Sequence, residues 1–144
     1  MISTRGRYAL RVMVELAKHG KNEFVTLKDI AERQSISKKY LEQIIPILNR
    51  ENMLIASRGY GGGYKLSKSP SDYTVLDILK VTEGSLAPVA CLGSAENLCP
   101  RAEFCTTLYV WKGLQKVEED YLDGITLQDI LDKEIENGGN TYSI

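Results

Sequence analysis

Apolar residues in the first fifty positions recur at three- and four-residue spacing. Tyr8, Leu10, Val12, Met13, Leu16 and Ala17 give a broad stripe that predicts a helix over 6–18, stopped at Gly20. Leu27, Ile30 and Ala31 share one face of a short second helix ending at Gln34. Leu41, Ile44, Ile45 and Leu48 line a third, opened by Ser37 as its cap. Two helices joined by so short a turn predict a helix-turn-helix, with Lys38, Lys39, Tyr40, Glu42 and Gln43 on its outer face, where base edges are reached. Pro46 predicts a bend that leaves 38–43 outward and packs 47–51 inward.

The period then changes. Residues 53–56 and 64–67 read as two short strands around Arg58-Gly59-Tyr60-Gly61-Gly62-Gly63, a tight turn. A hairpin directly after a helix-turn-helix is a wing. Its glycines bring the tip close to a sugar-phosphate backbone, and Arg58 suits a narrow minor groove. A nucleotide-cradling loop fits less well, because no Lys-Ser or Lys-Thr pair opening a helix follows the glycines. At the other end Thr4, Arg5 and Arg7, with Ser3, sit where a helix start can grip phosphate.

The pattern Thr-x-x-Asp-Ile appears at Thr26, Thr74 and Thr126, a repeated capping solution. It predicts a helix from Thr74 through Lys80 or Glu83 and a last short helix over 126–136. Between them, Phe104, Leu108, Trp111, Leu114, Val117 and Tyr121 repeat at helical spacing. A helix from Arg101 to Asp123 would be roughly 35 Å long and would offer this seam to a second copy of the chain. Cys99-Pro100 would open that helix, with Cys99 as its cap and Cys105 in its second turn.

Charge sharpens the division. The 144-residue chain has a net charge of -1, but residues 1–70 hold 13 Lys+Arg against 6 Asp+Glu (+7), and residues 71–144 hold 5 against 13 (-8). The basic half suits a polyanion. No apolar run is long enough to span a membrane and no leader-like segment opens the chain, so a reducing cytoplasm is expected. Cys91, Cys99 and Cys105 are then poor disulfide partners. Three thiols within fifteen residues suit a soft metal or an iron–sulfur cluster. Zinc, or burial of each as a small hydrophobe, are the other readings. His19, the only histidine, is expected to be a solvated or dipole-stabilised imidazole at a helix end rather than a metal ligand.

Three stretches carry a resemblance: S-T-R-G-R-Y-A-L at 3–10, L-K-D-I-A-E-R-Q-S-I-S-K-K-Y-L-E-Q at 27–43 and R-G-Y-G-G-G-Y at 58–64. Together they resemble the Rrf-type winged-helix transcription regulators, the group with IscR-like, NsrR-like and CymR-like members. The resemblance implies a mainly α fold with a small β-wing, in which a winged helix-turn-helix DNA-binding domain is joined to a long dimerisation helix. Taken with the residue pattern, the chain divides into a DNA-binding domain at 1–83, a cysteine-bearing loop at 84–100, the dimerisation helix and a short helix at 100–136, and a flexible tail at 137–144. The resemblance implies that the helix from Ser37 reads the major groove of double-stranded DNA. It implies too that Arg58 with Gly59, Tyr60 and Gly61 reads the minor groove, and that Glu42 shapes sequence preference. It further implies that Cys91, Cys99 and Cys105 hold an iron–sulfur cluster, a 2Fe–2S cluster ahead of a 4Fe–4S one.

The chain departs from the family pattern at the fourth ligand. Leu108 stands where IscR-like members carry a histidine, and Tyr8 where NsrR-like members carry an acid. Glu103, Thr106, Thr107, His19 and an exogenous thiol stay open. A CymR-like repressor signalled by cysteine synthase is the alternative regulator, because the chain ends Tyr142-Ser143-Ile144 on a Gly-Gly tether. A terminal isoleucine of that kind resembles the tails that enter cysteine synthase. An enzyme or electron carrier is the competing class. Neither a cysteine tetrad nor an acid–base constellation supports it.

Overall fold

The computed structural model describes residues 1–138. Helix α1 spans Thr4–Ala17, α2 Leu27–Gln34 and α3 Lys38–Arg50. Strands β1 (Leu54–Ser57) and β2 (Gly63–Leu66) follow, then α4 (Val75–Glu83), α5 (Leu108–Asp123) and α6 (Leu127–Glu136). Short 3-10 turns lie at Pro70–Asp72, Ala90–Leu92 and Ala102–Phe104. The fold is mainly helical with a two-stranded wing. No helix among the described residues is long and apolar enough to cross a membrane.

Small polar caps start the helices. Ser3, Thr26 and Ser37 each accept from the backbone N–H three residues on, that of Gly6, Asp29 and Tyr40. At Thr74 and Thr126 the aspartate three residues later also accepts from the cap backbone, completing a capping box. Ala9, Val12 and Met13 of α1 pack with Ile30, with Leu41, Ile44 and Leu48 of α3, and with Ile78 of α4 in one core. The helix-turn-helix is closed by Ser35 in the left-handed conformation.

Pro46 does not interrupt α3, which runs unbroken from Lys38 to Arg50. Both Pro46 and Glu42 are on the exposed side, so the carbonyl deprived of its partner there is open to water. Of residues 47–51 only Leu48 is buried, Ile47 is half-buried, and Asn49, Arg50 and Glu51 are exposed. The inward packing expected beyond the proline is therefore limited to one helical face.

The wing is anchored at its base by two contacts. Val25, just ahead of α2, bridges Tyr64 through reciprocal 2.8 Å backbone hydrogen bonds and acts as a third edge. Tyr73 is fully buried. Its hydroxyl donates to the Met53 carbonyl at 2.8 Å and accepts from the Ser67 and Lys68 N–H groups at 3.0 Å. One phenol thus ties the chain before β1 to the chain after β2.

The C-terminal part differs most from expectation. α6 packs on the N-terminal helices: Leu127 is fully buried in the core, Thr74 and Thr126 form a β-bridge, and α6 packs against α1. The helix expected from Arg101 starts only at Leu108, so α5 is 16 residues and roughly 24 Å long. Cys99 does not cap it, and Cys105 is extended rather than in its second turn. Phe104 accordingly lies in the preceding 3-10 turn. The adjacent Thr106 and Thr107 are β-branched, and nothing between Cys99 and Thr107 is buried to drive an earlier helix.

Candidate nucleic-acid interface and cysteine segment

The start of α3 presents the outer residues expected of a reading helix. Ser37 Oγ accepts from the Tyr40 N–H at 3.1 Å, so this hydroxyl is occupied by the cap. Lys38, Lys39, Glu42 and Gln43 are exposed. Tyr40 is half-buried, with its ring edge-on to Tyr8 at 5.2 Å between centroids, and the Arg11 guanidinium lies 5.1 Å from the Tyr8 ring. Tyr40 is thereby fixed to α1, and Tyr8 is committed to packing.

At the start of α1, Arg5 and Arg7 are exposed, and Arg7 donates to the Thr4 hydroxyl at 3.0 Å. Ser3 is not free for a phosphate. Its N–H and hydroxyl both donate to Glu83 Oε1, at 3.0 and 2.7 Å. This carboxylate sits where a Cβ on Gly6 would be, 2.0 Å from that position, so the absence of a side chain there admits it. At the wing tip Arg58, Gly59, Tyr60 and Gly61 are all exposed, and the Gly62 N–H donates to the Gly59 carbonyl at 3.0 Å.

A polar network ties α1 to the end of α2. Glu15, on the inner face of α1 and only 5% exposed, accepts from Gln34 at 2.7 Å and contacts His19 Nε2 at 2.9 Å and Arg33 at 3.6 Å. His19 Nδ1 faces Glu23 at 3.3 Å. Arg11 donates to the Gln34 side chain at 3.1 Å and also to its carbonyl. Burial alone would raise the Glu15 carboxyl pKa, but the hydrogen bonds from Gln34 and His19 and the charges of Lys18 and His19 hold it below the ordinary 4.5. His19 is thus built into a structural network and is not the solvated end residue expected. The signal in the sequence was an acid lying inside the stripe of Val12, Met13 and Leu16.

The cysteines lie in one segment. Cys91 is half-buried in the Ala90–Leu92 turn, Cys99 is exposed with its N–H on Asn97 Oδ1 at 3.0 Å, and Cys105 is half-buried, 3.6 Å from the Thr107 hydroxyl. Contacts with the Thr107 hydroxyl and backbone lower the Cys105 thiol pKa, which favours the thiolate. All three thiols are free. Not one of residues 83–126 is buried, so the reading of these cysteines as small core hydrophobes does not hold. Three free thiols on one segment, one exposed and two half-buried, are the donor set a thiophilic centre takes. Among the described residues no three His, Cys, Asp or Glu side chains are placed to hold a metal ion. Phe104, Trp111, Leu114, Val117 and Tyr121 are exposed, and so are Tyr109 and Val110, which the 3–4 spacing had not included. Leu108 is half-buried.

Comparison with known proteins agrees with this architecture. The family Rrf2, described as "Iron-dependent Transcriptional regulator", matches residues 2–133. The protein rrf2 of Nitratidesulfovibrio vulgaris is 37% identical over 131 residues, 90% of this chain and 86% of that protein. The structure of T. potens IscR superposes with a TM-score of 0.75 at 39% identity, over 92% of this chain and 87% of that one. CymR, the global cysteine regulator of B. subtilis, superposes with a TM-score of 0.74 at 34% identity, over 90% of this chain and 95% of that one. On its sequence, its winged helix-turn-helix and these relatives, the chain is a transcription regulator belonging to the Rrf2 family.

Proposed function

We propose that the protein acts as a homodimer on palindromic DNA and that an iron–sulfur cluster held by Cys91, Cys99 and Cys105 sets its operator affinity. The carrying observation is the stretch 83–126, which holds three free thiols and an apolar helix face and buries nothing. A second copy against the apolar face and a cofactor on the thiols would give this stretch a core. Glu103 and Thr107, beside Cys105, are the nearest candidates from this segment for a fourth ligand. The cluster, when bound, supplies sensitivity to iron and oxidants.

The remaining chemistry belongs to the chain. Lys38, Lys39 and Gln43 of α3 approach the major groove, where Glu42 can accept from a cytosine N4 amine and is repelled by a misplaced phosphate. Arg5, Arg7 and Thr4 hold backbone phosphates, which fixes register and carries no sequence information. Arg58 enters the minor groove, with Gly59 and Gly61 admitting the backbone. Phe104, Leu108, Trp111, Leu114, Val117 and Tyr121 form the seam between copies. Two-fold symmetry then requires half-sites about 34 Å apart, so small changes near α5 alter operator fit.

The test is anaerobic purification with iron and sulfide analysis and an absorption spectrum. Stoichiometric iron and sulfide, lost in the triple Cys→Ala variant, are expected. Iron content unchanged in that variant would overturn the assignment, and stoichiometric zinc without sulfide would replace it with a zinc site. A second reading, control by cysteine supply, is supported by the similarity to B. subtilis CymR, and the Tyr142-Ser143-Ile144 tail is the segment it would use. That tail lies outside the described residues. A peptide ending Asn-Thr-Tyr-Ser-Ile should bind the host's cysteine synthase and lose binding without Ile144. Equal binding of the two peptides would end this reading.

A further inference from the structure

Tyr60 stands out in the wing. It is 109% exposed, more than in an extended chain, and its ring makes no aromatic or cation–π contact within the described residues. Tyr8 and Tyr40, by contrast, are half-buried and meet edge-to-face. Tyr60 has been raised away from every neighbour by the backbone on both sides.

That backbone leaves little choice. Gly59 and Gly61 have φ of +84 and +77, a conformation that L side chains rarely adopt. Between them Tyr60 occupies the apex. The turn is closed by the Gly62 N–H on the Gly59 carbonyl, and a Cβ on Gly62 would lie 2.3 Å from the Ser57 carbonyl. A Cβ on Gly63 would lie 2.4 Å from the Val25 carbonyl. The glycines therefore make a thin, tightly closed blade with one aromatic ring at its edge, and Arg58 is two residues away. The base of the blade is held by Tyr73 and by the Val25 bridge, so the apex is braced against the core.

A thin edge with a single flat apolar ring fits a narrow groove with hydrophobic steps at its floor. We infer that Tyr60 is a minor-groove wedge: its ring enters at the base step beneath the wing and partly unstacks it. This deepens the DNA reading above and rests on it. The ligand class is a deformable pyrimidine–purine step, such as TA or CA, because such steps unstack most readily. Arg58 supplies charge to the groove, and Tyr60 supplies sequence selectivity by making stiff steps costly at a position where no base edge is hydrogen-bonded.

The experiment uses the full-length protein and an operator obtained by selection from random duplexes. 2-Aminopurine replaces successive adenines along the flanks, and fluorescence is read on binding. With wild type, one position beneath the wing should brighten severalfold, and Tyr60→Phe should keep this. Tyr60→Ala should abolish the brightening and lose about tenfold in affinity, as removal of a base-stacking ring does. It should also flatten the preference for TA or CA at that step. No brightening at any position with bound wild type, or equal brightening with Tyr60→Ala, would overturn the wedge. So would Tyr60→Phe behaving like Tyr60→Ala, since the hydroxyl would then carry the contact. Arg58→Ala separates the two levels. If it weakens binding while no step brightens, the wing reads DNA without a wedge; if it too has no effect, the wing reading itself fails.

Discussion

Gln34, the last residue of α2, donates a 2.7 Å hydrogen bond to Glu15 in the last turn of α1. Arg11 reaches the same Gln34 from one turn earlier on α1. The turn that aims α3 is therefore held by side chains of α1, a helix outside the helix-turn-helix itself.

This clamp makes stability depend on acid. The Glu15 carboxyl is held below its ordinary 4.5, so its contribution is fully present above that value and is lost as pH falls through the depressed folded value. Glu15→Gln removes the charge and keeps the shape. It should cost about 2 kcal/mol at neutral pH. Urea unfolding at a series of pH values should show the gap to wild type narrowing once the solution is more acid than 4.5. A gap constant with pH would mean that the ionised form of Glu15 is not what matters.

Gly6 and Glu83 should behave as one unit. An alanine at 6 would push the Glu83 carboxylate off Ser3, because that oxygen is the flexible end of a side chain and moves more easily than backbone. Gly6→Ala and Glu83→Ala then remove the same two hydrogen bonds. In a double-mutant cycle their costs should fall short of additive by about 1 kcal/mol. Simple additivity would show that Gly6 is tolerated for some other reason.

For the proposed DNA interface, Arg58→Ala should weaken operator binding by about 1–3 kcal/mol. Lys38→Gln and Lys39→Gln should each lower the magnitude of the salt slope by about 0.9 if they meet phosphate. Glu42→Ala should broaden the set of sequences selected without loss of affinity for the best one. Fluorescence anisotropy across a salt series, with selection on each variant, measures all of these. Arg58→Ala binding as tightly as wild type would remove the wing from the interface.

The α5 seam predicts a dimer that a single charge can split. Val117 and Tyr121 are 66% and 68% exposed in the single chain, so Val117→Glu and Tyr121→Glu should leave its fold intact. Each should sediment as a monomer with unchanged helix content by circular dichroism, and should lose the preference for palindromic over half-site DNA. A wild type that is itself monomeric at micromolar concentration, or variants that remain dimeric, would place the interface elsewhere.

The helix-turn-helix and the wing were legible along the chain because their causes are local. A capping hydroxyl acts three residues ahead, a glycine acts on its own dihedral angles, and the spacing of Leu41, Ile44 and Leu48 declares the buried face of a helix in any tertiary setting. The boundaries shifted by only a residue or two. What had no local sign were pairings between distant segments. Ser3 meets Glu83, Val25 meets Tyr64, Thr74 meets Thr126, and Leu127 drops into a core built mainly from the first eighty residues. Whether such groups meet depends on where two whole elements come to rest, and no propensity at either position encodes that. The start of α5 was misplaced for the same reason. Helical spacing and a proline allowed a start near Cys99, yet with nothing to bury against, residues 99–107 gain too little from helix formation to offset its nucleation cost, and the helix begins at Leu108.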